Sequence, residues 1–308
     1  MGRRLTPEAY RRITAIAVAA LSVIIVTGAA VRLTGSGLGC SDWPRCEEDR
    51  FVADAGDAHA MVEFVNRMIT GVVSVAVIAA VLGSLARAPR RRDLTWWSLG
   101  LVAGVLGQIV LGGIVVLTHL TPEMVMAHFL LSMVLVWNGI VLHHRAALPD
   151  PAPERSLPSV LNRARVISAV ACVAVFTGTM VTASGPHGGD EEVDRLGFDV
   201  PDIARVHGIT VMVLLALAIS LVVHLRRTAA PADLRAHAGV LLGVLVAQAA
   251  IGYIQYFTDV PVVLVGTHVA GATALFIAVV WFHLRVRHPA PVRTLALFVE
   301  PEPALAAT

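Results

Sequence analysis

The chain has 308 residues, 56% of them hydrophobic and 15% charged, with a formal net charge of +2. A mean hydropathy of +0.73 excludes a soluble globular domain of this length, whose surface has to be solvated by polar groups. The small net charge carries little information by itself; its placement along the chain carries much more.

Apolar runs of about 20 residues are long enough to cross the hydrocarbon core of a bilayer. Eight recur here, near residues 12–33, 60–85, 95–117, 122–144, 163–183, 202–225, 236–257 and 261–284. In lipid the backbone has to satisfy its own hydrogen bonds, so each run is expected to be a helix. The first is not read as a signal peptide, because it lacks a small-residue cleavage site and leads into a distinctive motif. Arginines alternate with the spans. Arg3, Arg4, Arg11 and Arg12 precede the first, and Arg87, Arg90, Arg91 and Arg92 follow the second. Arg145, Arg155, Arg163 and Arg165 surround the fourth-to-fifth connection, Arg226, Arg227 and Arg235 the sixth-to-seventh, and Arg285, Arg287 and Arg293 follow the last. The positive-inside rule makes all five segments cytoplasmic. Both termini are then inside, as an even number of spans requires. The expectation is an all-α integral membrane protein with eight transmembrane helices in the plasma membrane, with the bilayer as its surroundings and no nucleic-acid partner.

The outer connections differ in character. The first, 34–59, holds Cys40 and Cys46; the second is the tight turn His119–Glu123; the third, 184–201, is acidic; the fourth is the turn Thr258–Pro261. Two cysteines with five residues between them on the oxidising side read either as a structural staple or as a redox-active pair. The third cysteine, Cys172, lies within the fifth span and is expected in the core. The inner connection 147–159 is Pro-rich and divides the chain into residues 1–150 and 151–308. The segment after Arg293, rich in Ala, Pro and Glu, is expected to be disordered.

The two halves echo one another. Gln108–His128 and Gln248–His268 align without a gap and match at Gln108/Gln248, Gly112/Gly252, Ile114/Ile254, Thr118/Thr258, Val125/Val265 and His128/His268. A fixed offset of 140 residues is the mark of a duplicated unit, so two four-helix bundles are expected. Of twelve histidines, His128, His207 and His268 stand out. Each lies six or seven residues beyond a proline (Pro122, Pro201, Pro261) at the outer end of an even-numbered span, at a depth of roughly 10 Å. Ionisable residues at such depth mark function. A neutral imidazole facing a bundle interior is a standard axial ligand for heme iron, and His207 and His268 are placed to hold one heme from both faces. In the first half the partner position of His128 holds Asn66, with Glu63 one turn away on the same face. Glu63 is either a working carboxylate or the partner of Arg67.

The runs GAAVRLTGSGLGCSDWPRC (28–46), VEFVNR (62–67), QIVLGGIVVLT (108–118), GTMVTASGPHGGD (178–190), ARVHG (204–208) and IGYIQYFTDVP (251–261) together resemble the heme A synthases. The resemblance extends over about residues 12–284 and implies two pseudo-symmetric four-helix bundles. It implies an oxidoreductase that converts heme O to heme A for terminal oxidases, oxidising one ring methyl to a formyl group through two hydroxylations and loss of water. It assigns His207 and His268 to a bis-histidine heme b, His128 and Glu63 to the substrate heme, and Cys40 with Cys46 to a disulfide. Asn66 departs from the family, much of which has a second His there. Arg32, Arg67 and Arg205, near the outer ends, are candidates for the heme propionates through charge-assisted bonds. The implied partners are a heme O synthase as supplier and an electron donor that the residues do not identify. Two other classes compete. A non-catalytic membrane cytochrome b accounts for the histidines but not for Glu63 or the unequal halves. A transporter with inverted repeats fits poorly, because four-helix repeats share one orientation.

Overall fold

The computed structural model describes residues 4–47, 50–190 and 192–289. Arg3, Arg293 and the expected disordered tail lie outside the described residues. Eight helices follow in order: α1 (Pro7–Leu33), α2 (Ala58–Ala86), α3 (Arg92–Leu117), α4 (Pro122–Ala147), α5 (Pro158–Ser184), α6 (Val200–Arg227), α7 (Ala232–Phe257) and α8 (Val262–Arg287). All eight are long and apolar enough to cross a membrane.

Local chemistry sets the helix starts. The Thr6 hydroxyl accepts the N–H of Ala9, and the Asp57 carboxylate accepts those of His59 and Ala60, satisfying donors that an open first turn leaves orphaned. Prolines stand in the first turn of α1, α4, α5 and α6, where their missing N–H costs nothing. Four odd-numbered starts lie inward of the apolar runs: α1, α3, α5 and α7 begin at 7, 92, 158 and 232. Their polar inner turns continue the helix because arginine stems cover apolar surface while the guanidinium groups reach the polar boundary.

Within the first half, α1 packs on α2 and α4, and α3 on both α2 and α4. Within the second, α5 packs on α6 and α8, and α7 on both α6 and α8. Contacts of α1 with α8, α4 with α8, and α4 with α5 join the halves. One buried apolar cluster runs from Tyr10 and Leu21 through Leu94, Leu101 and Val136 to Phe276 and Val280 of α8. A second, around Ile167, Leu214, Leu221, Leu241 and Phe282, fills the space among α5–α8. The outer faces stay apolar, with Val75 67% and Val263 78% exposed, a surface that lipid rather than water solvates. Cys172 belongs to this surface: it is exposed on α5 and not a core residue. An apolar thiol needs no protein cover when acyl chains surround it.

The 140-residue offset is visible in the backbone. His119 and Leu120, then Asp259 and Val260, all have positive φ, at 51°, 59°, 58° and 55°. Each pair ends a helix through the same bond, Leu120 N–H to Val115 O at 2.8 Å and Val260 N–H to Gln255 O at 2.9 Å. Branched residues in this region are costly, so the turns are held by the packing of the helices they join.

The connections are fastened. At the inner end Arg91 donates to the carbonyls of Arg145 and Leu148 and pairs with Asp93, which also pairs with Arg145. The Pro-rich connection is pinned to the second half by Arg155 N–H to Arg287 O at 2.8 Å and by the Arg155–Asp233 pair at 3.2 Å. At the outer end Gly37 N–H donates to Gly189 O at 2.9 Å, and His187 Nε2 lies 2.9 Å from Val260 O. The first, third and fourth outer connections therefore form one cover over both halves.

Candidate functional site

The imidazoles of His207 on α6 and His268 on α8 face each other across the second half, with ring centres 6.5 Å apart and planes at 79°. Each ring is seated on a glycine of the preceding helix. A Cβ on Gly178 would meet His207 Cε1 at 3.2 Å, and one on Gly252 would meet His268 Cε1 at 2.9 Å. His128 has the same seat, with a Cβ on Gly112 meeting its Cε1 at 3.2 Å. Small residues at these stations let helix and ring approach closely.

Hydrogen bonds orient the rings. The Thr177 hydroxyl donates to Val173 O at 2.9 Å, so its lone pairs are free for His207 Nδ1, 3.1 Å away. That contact favours the tautomer with the proton on Nδ1, which leaves the Nε2 lone pair free for a metal. Gln248 Nε2 lies 3.0 Å from His268 Nδ1 and donates to His268 O at 2.8 Å. Two imidazole nitrogens each roughly 2 Å from a shared metal put the ring centres about 6 Å apart, so the 6.5 Å separation fits one iron between the rings. Among the described residues no three His, Cys, Asp or Glu side chains converge to hold a bare metal ion. Two facing imidazoles fit the donor set that would complete the coordination of a heme iron.

The first half has a different complement. Asn66 on α2 takes the station that His207 takes in the second half. Thr27 donates to Asn66 Oδ1 at 2.8 Å, and a Cβ on Gly28 would lie 4.0 Å from Asn66 Nδ2, as Thr177 and Gly178 stand to His207. The Thr-Gly dipeptide at 27–28 and at 177–178 was the sequence signal for this pair of seats, which the Gln-to-His alignment does not cover.

Glu63 is buried, 6% exposed, and held on both oxygens. Oε2 accepts the Cys40 N–H at 2.8 Å; Oε1 faces Arg67, with Nη2 at 2.5 Å and Nε at 3.1 Å. Arg67 Nη1 donates to the carbonyls of Asp42 and Arg45. The ion pair open in the sequence is therefore formed, and it ties α2 to the first outer connection. Cys40 and Cys46 form a disulfide there. Both are buried and pack with Ala53 and Ala60.

The three arginines are placed differently. Arg32 donates to the carbonyls of His187 and Thr182, joining α1 to the third outer connection. Arg67 is committed as described. Arg205 is exposed and pairs with Asp202 at 2.8 Å. His59 stands at the start of α2 with Nδ1 3.0 Å from Ser36 Oγ.

A family model described as cytochrome oxidase assembly protein matches residues 11–186, more than half of the chain. A heme A synthase of Shouchella clausii is 25% identical over 180 residues, 56% of this chain and 59% of that protein. A heme A synthase of Bacillus pumilus is 31% identical over 128 residues, 41% of each chain. One of Geobacillus kaustophilus is 31% identical over 108 residues, 34% of this chain and 33% of that protein. The matched stretches thus span less than two thirds of these relatives' own length.

Proposed function

The chain belongs to the cytochrome oxidase assembly protein family, and on that footing we propose that it is a heme A synthase, an enzyme that oxidises a ring methyl of heme O to the formyl group of heme A. The observation that carries this reading is the facing pair His207–His268 at 6.5 Å, set beside a first half in which the matching pair is Asn66 and His128. One half has the ligands of a permanent cofactor; the other keeps one imidazole and a carboxylate. A plain electron-carrying cytochrome gives no reason for that inequality.

The proposed arrangement is two pseudo-symmetric four-helix bundles, residues 1–150 and 151–308, in the plasma membrane with both termini cytoplasmic. His207 and His268 hold heme b, which supplies one-electron transfer when bound. Thr177 and Gln248 orient those imidazoles, and the glycine seats keep the rings close to the helix backbones. In the first half His128 faces the iron of the substrate, heme O. Glu63 lies one turn from Asn66 and offers negative charge that would stabilise positive charge at the methyl carbon, or relays the protons that its oxidation releases. Arg32, Arg67 and Arg205 are the candidates for the propionates; Arg205, whose partner is an exposed carboxylate, moves at least cost. A heme O synthase supplies the substrate; with dioxygen as the oxidant, each hydroxylation takes two electrons from a separate donor, puts one oxygen atom on the methyl carbon and releases the other as water.

The test is to express the chain with and without a heme O source and extract its heme. Heme A dependent on the source establishes the activity. Heme b alone, with heme O bound and unchanged, selects the non-catalytic cytochrome instead.

A further inference from the structure

Two glutamines occupy the same station of the repeat and treat their histidines differently. Gln248 Nε2 donates to His268 O and lies 3.0 Å from the ring nitrogen Nδ1. Gln108 Nε2 likewise donates to His128 O, at 3.0 Å, but its other contact is Ser132 Oγ at 2.7 Å. The Ser132 hydroxyl in turn donates to His128 O at 3.0 Å. His128 Nδ1 is buried and has no hydrogen-bond partner.

The difference is written in two neighbouring positions. The register of Ser132 is Ala272 in the second half, which offers no competing oxygen. The register of Leu131 is Gly271, and a Cβ there would collide with Gln248 Oε1. Gly271 therefore lets Gln248 lie against the His268 ring, while Leu131 and Ser132 turn Gln108 away from His128.

An imidazole that ligates through Nε2 carries its proton on Nδ1, and an acceptor for that proton fixes the ring and strengthens the bond to the metal. Thr177 is such an acceptor for His207. Gln248 becomes one when its amide turns over, exchanging nitrogen for oxygen at the cost of its bond to His268 O; the Oε1 atoms of Gln248 and Gln108 are both buried without a partner as they stand. His128 has no such acceptor.

We propose that Ser132 is a positioning residue that makes the first half an exchange site: it draws Gln108 off the His128 ring, so that heme leaves His128 faster than it leaves the His207–His268 pair. The inference rests on the heme reading above and deepens it. A resident cofactor has to stay, whereas a substrate and its product have to pass through. The same duplicated scaffold achieves both by a serine and a leucine in place of an alanine and a glycine.

The experiment loads the purified full-length protein with hemin and follows heme transfer to excess apomyoglobin by visible absorption. Two phases are expected, and His128→Ala should remove the fast one. Ser132→Ala should slow the fast phase about tenfold, the lower end of what a hydrogen-bond partner behind a metal-binding histidine is worth. Adding Gln108→Leu to Ser132→Ala should restore the fast rate, because the slowing needs the freed amide. Gln248→Leu should accelerate the slow phase by a similar factor. Ser132→Gly serves where the alanine variant does not accumulate. A fast phase unchanged in both serine variants, or slowing that survives Gln108→Leu, overturns the proposal while leaving heme binding intact. A wild-type protein that takes up no hemin overturns the heme reading itself.

Discussion

The Glu63 carboxylate accepts the backbone N–H of Cys40 at 2.8 Å, so a buried acid of α2 and the disulfide of the first outer connection are parts of one structure. Its other oxygen faces Arg67 at 2.5 Å. Two roles that the sequence left as alternatives, ion pair and reacting carboxylate, fall on the same residue, and they separate by substitution.

Arg67→Gln removes the ion pair and keeps the carboxylate. Breaking a buried pair from one side costs about 3 kcal/mol, so the midpoint of thermal unfolding should fall, and heme A yield per folded molecule should fall less than in the Glu63 variant, because only the propionate contact proposed for Arg67 is lost and the carboxylate stays. Glu63→Gln also removes the pair, leaves Arg67 uncompensated, and takes away the charge beside the methyl. Its stability should fall by a similar amount, and heme A formation should collapse with heme b still bound. Near-normal heme A from folded Glu63→Gln protein sinks the proposed role in the reaction.

The disulfide closes a short loop, Cys40 to Cys46, and closure of this size contributes about 2 kcal/mol in the chain-entropy account. Both cysteines are buried, at 0% and 1% exposure. Alkylation of the folded protein should leave their mass unchanged, and the shift should appear only after reduction under denaturing conditions. Cys172, exposed on α5 and shielded there by acyl chains, should label only once the protein is denatured. Free alkylation of Cys40 and Cys46 in the untreated protein contradicts the pairing.

How much of this was legible depended on the kind of signal. The eight helices were legible because lipid allows one backbone solution to an apolar run of that length. Their inner ends were not, since polar first turns carry no hydropathy; at α1 and α5 they are fixed by Thr6 and first-turn prolines instead. The histidines stood out because an imidazole at depth is rare, and the Gln-to-His repeat located Gln248 without revealing that it touches the His268 ring. Thr177, Thr27 and the glycine seats were missed: threonine and glycine are ordinary in apolar helices, and only the facing helix gives them meaning. Cys172 was misread because an apolar position inside a span was equated with the core, although half the surface of such a helix faces lipid.

The cofactor prediction follows from the facing rings. His207→Ala or His268→Ala should abolish the low-spin bis-histidine spectrum while the protein still inserts. Gly252→Ala is subtler. Its methyl would fall 2.9 Å from His268 Cε1, a distance that forces the ring to shift. The low-spin signal should persist with altered g-values in electron paramagnetic resonance and faster heme loss. An unaltered low-spin spectrum in either histidine variant would falsify the ligand assignment.

The last prediction turns on Asn66. Its Oδ1 already accepts the Thr27 hydroxyl at 2.8 Å, and a neutral amide oxygen is a poor partner for heme iron beside imidazole. A heme in the first half is then held by His128 alone, either high-spin or with water as its sixth ligand. Its ferrous form should bind carbon monoxide, whereas the heme between His207 and His268 should not. Asn66→His places an imidazole at the station of His207, with Thr27 ready to orient it as Thr177 does. That variant should turn the first site low-spin and suppress carbon monoxide binding there. The competing ligand is His59, two turns earlier on α2, but its Nδ1 is engaged with Ser36 at the helix start and reaching inward means breaking that contact. A low-spin first site in the unaltered protein, lost on His59→Ala, is the outcome that assigns the sixth position to His59 and removes Asn66 from the argument.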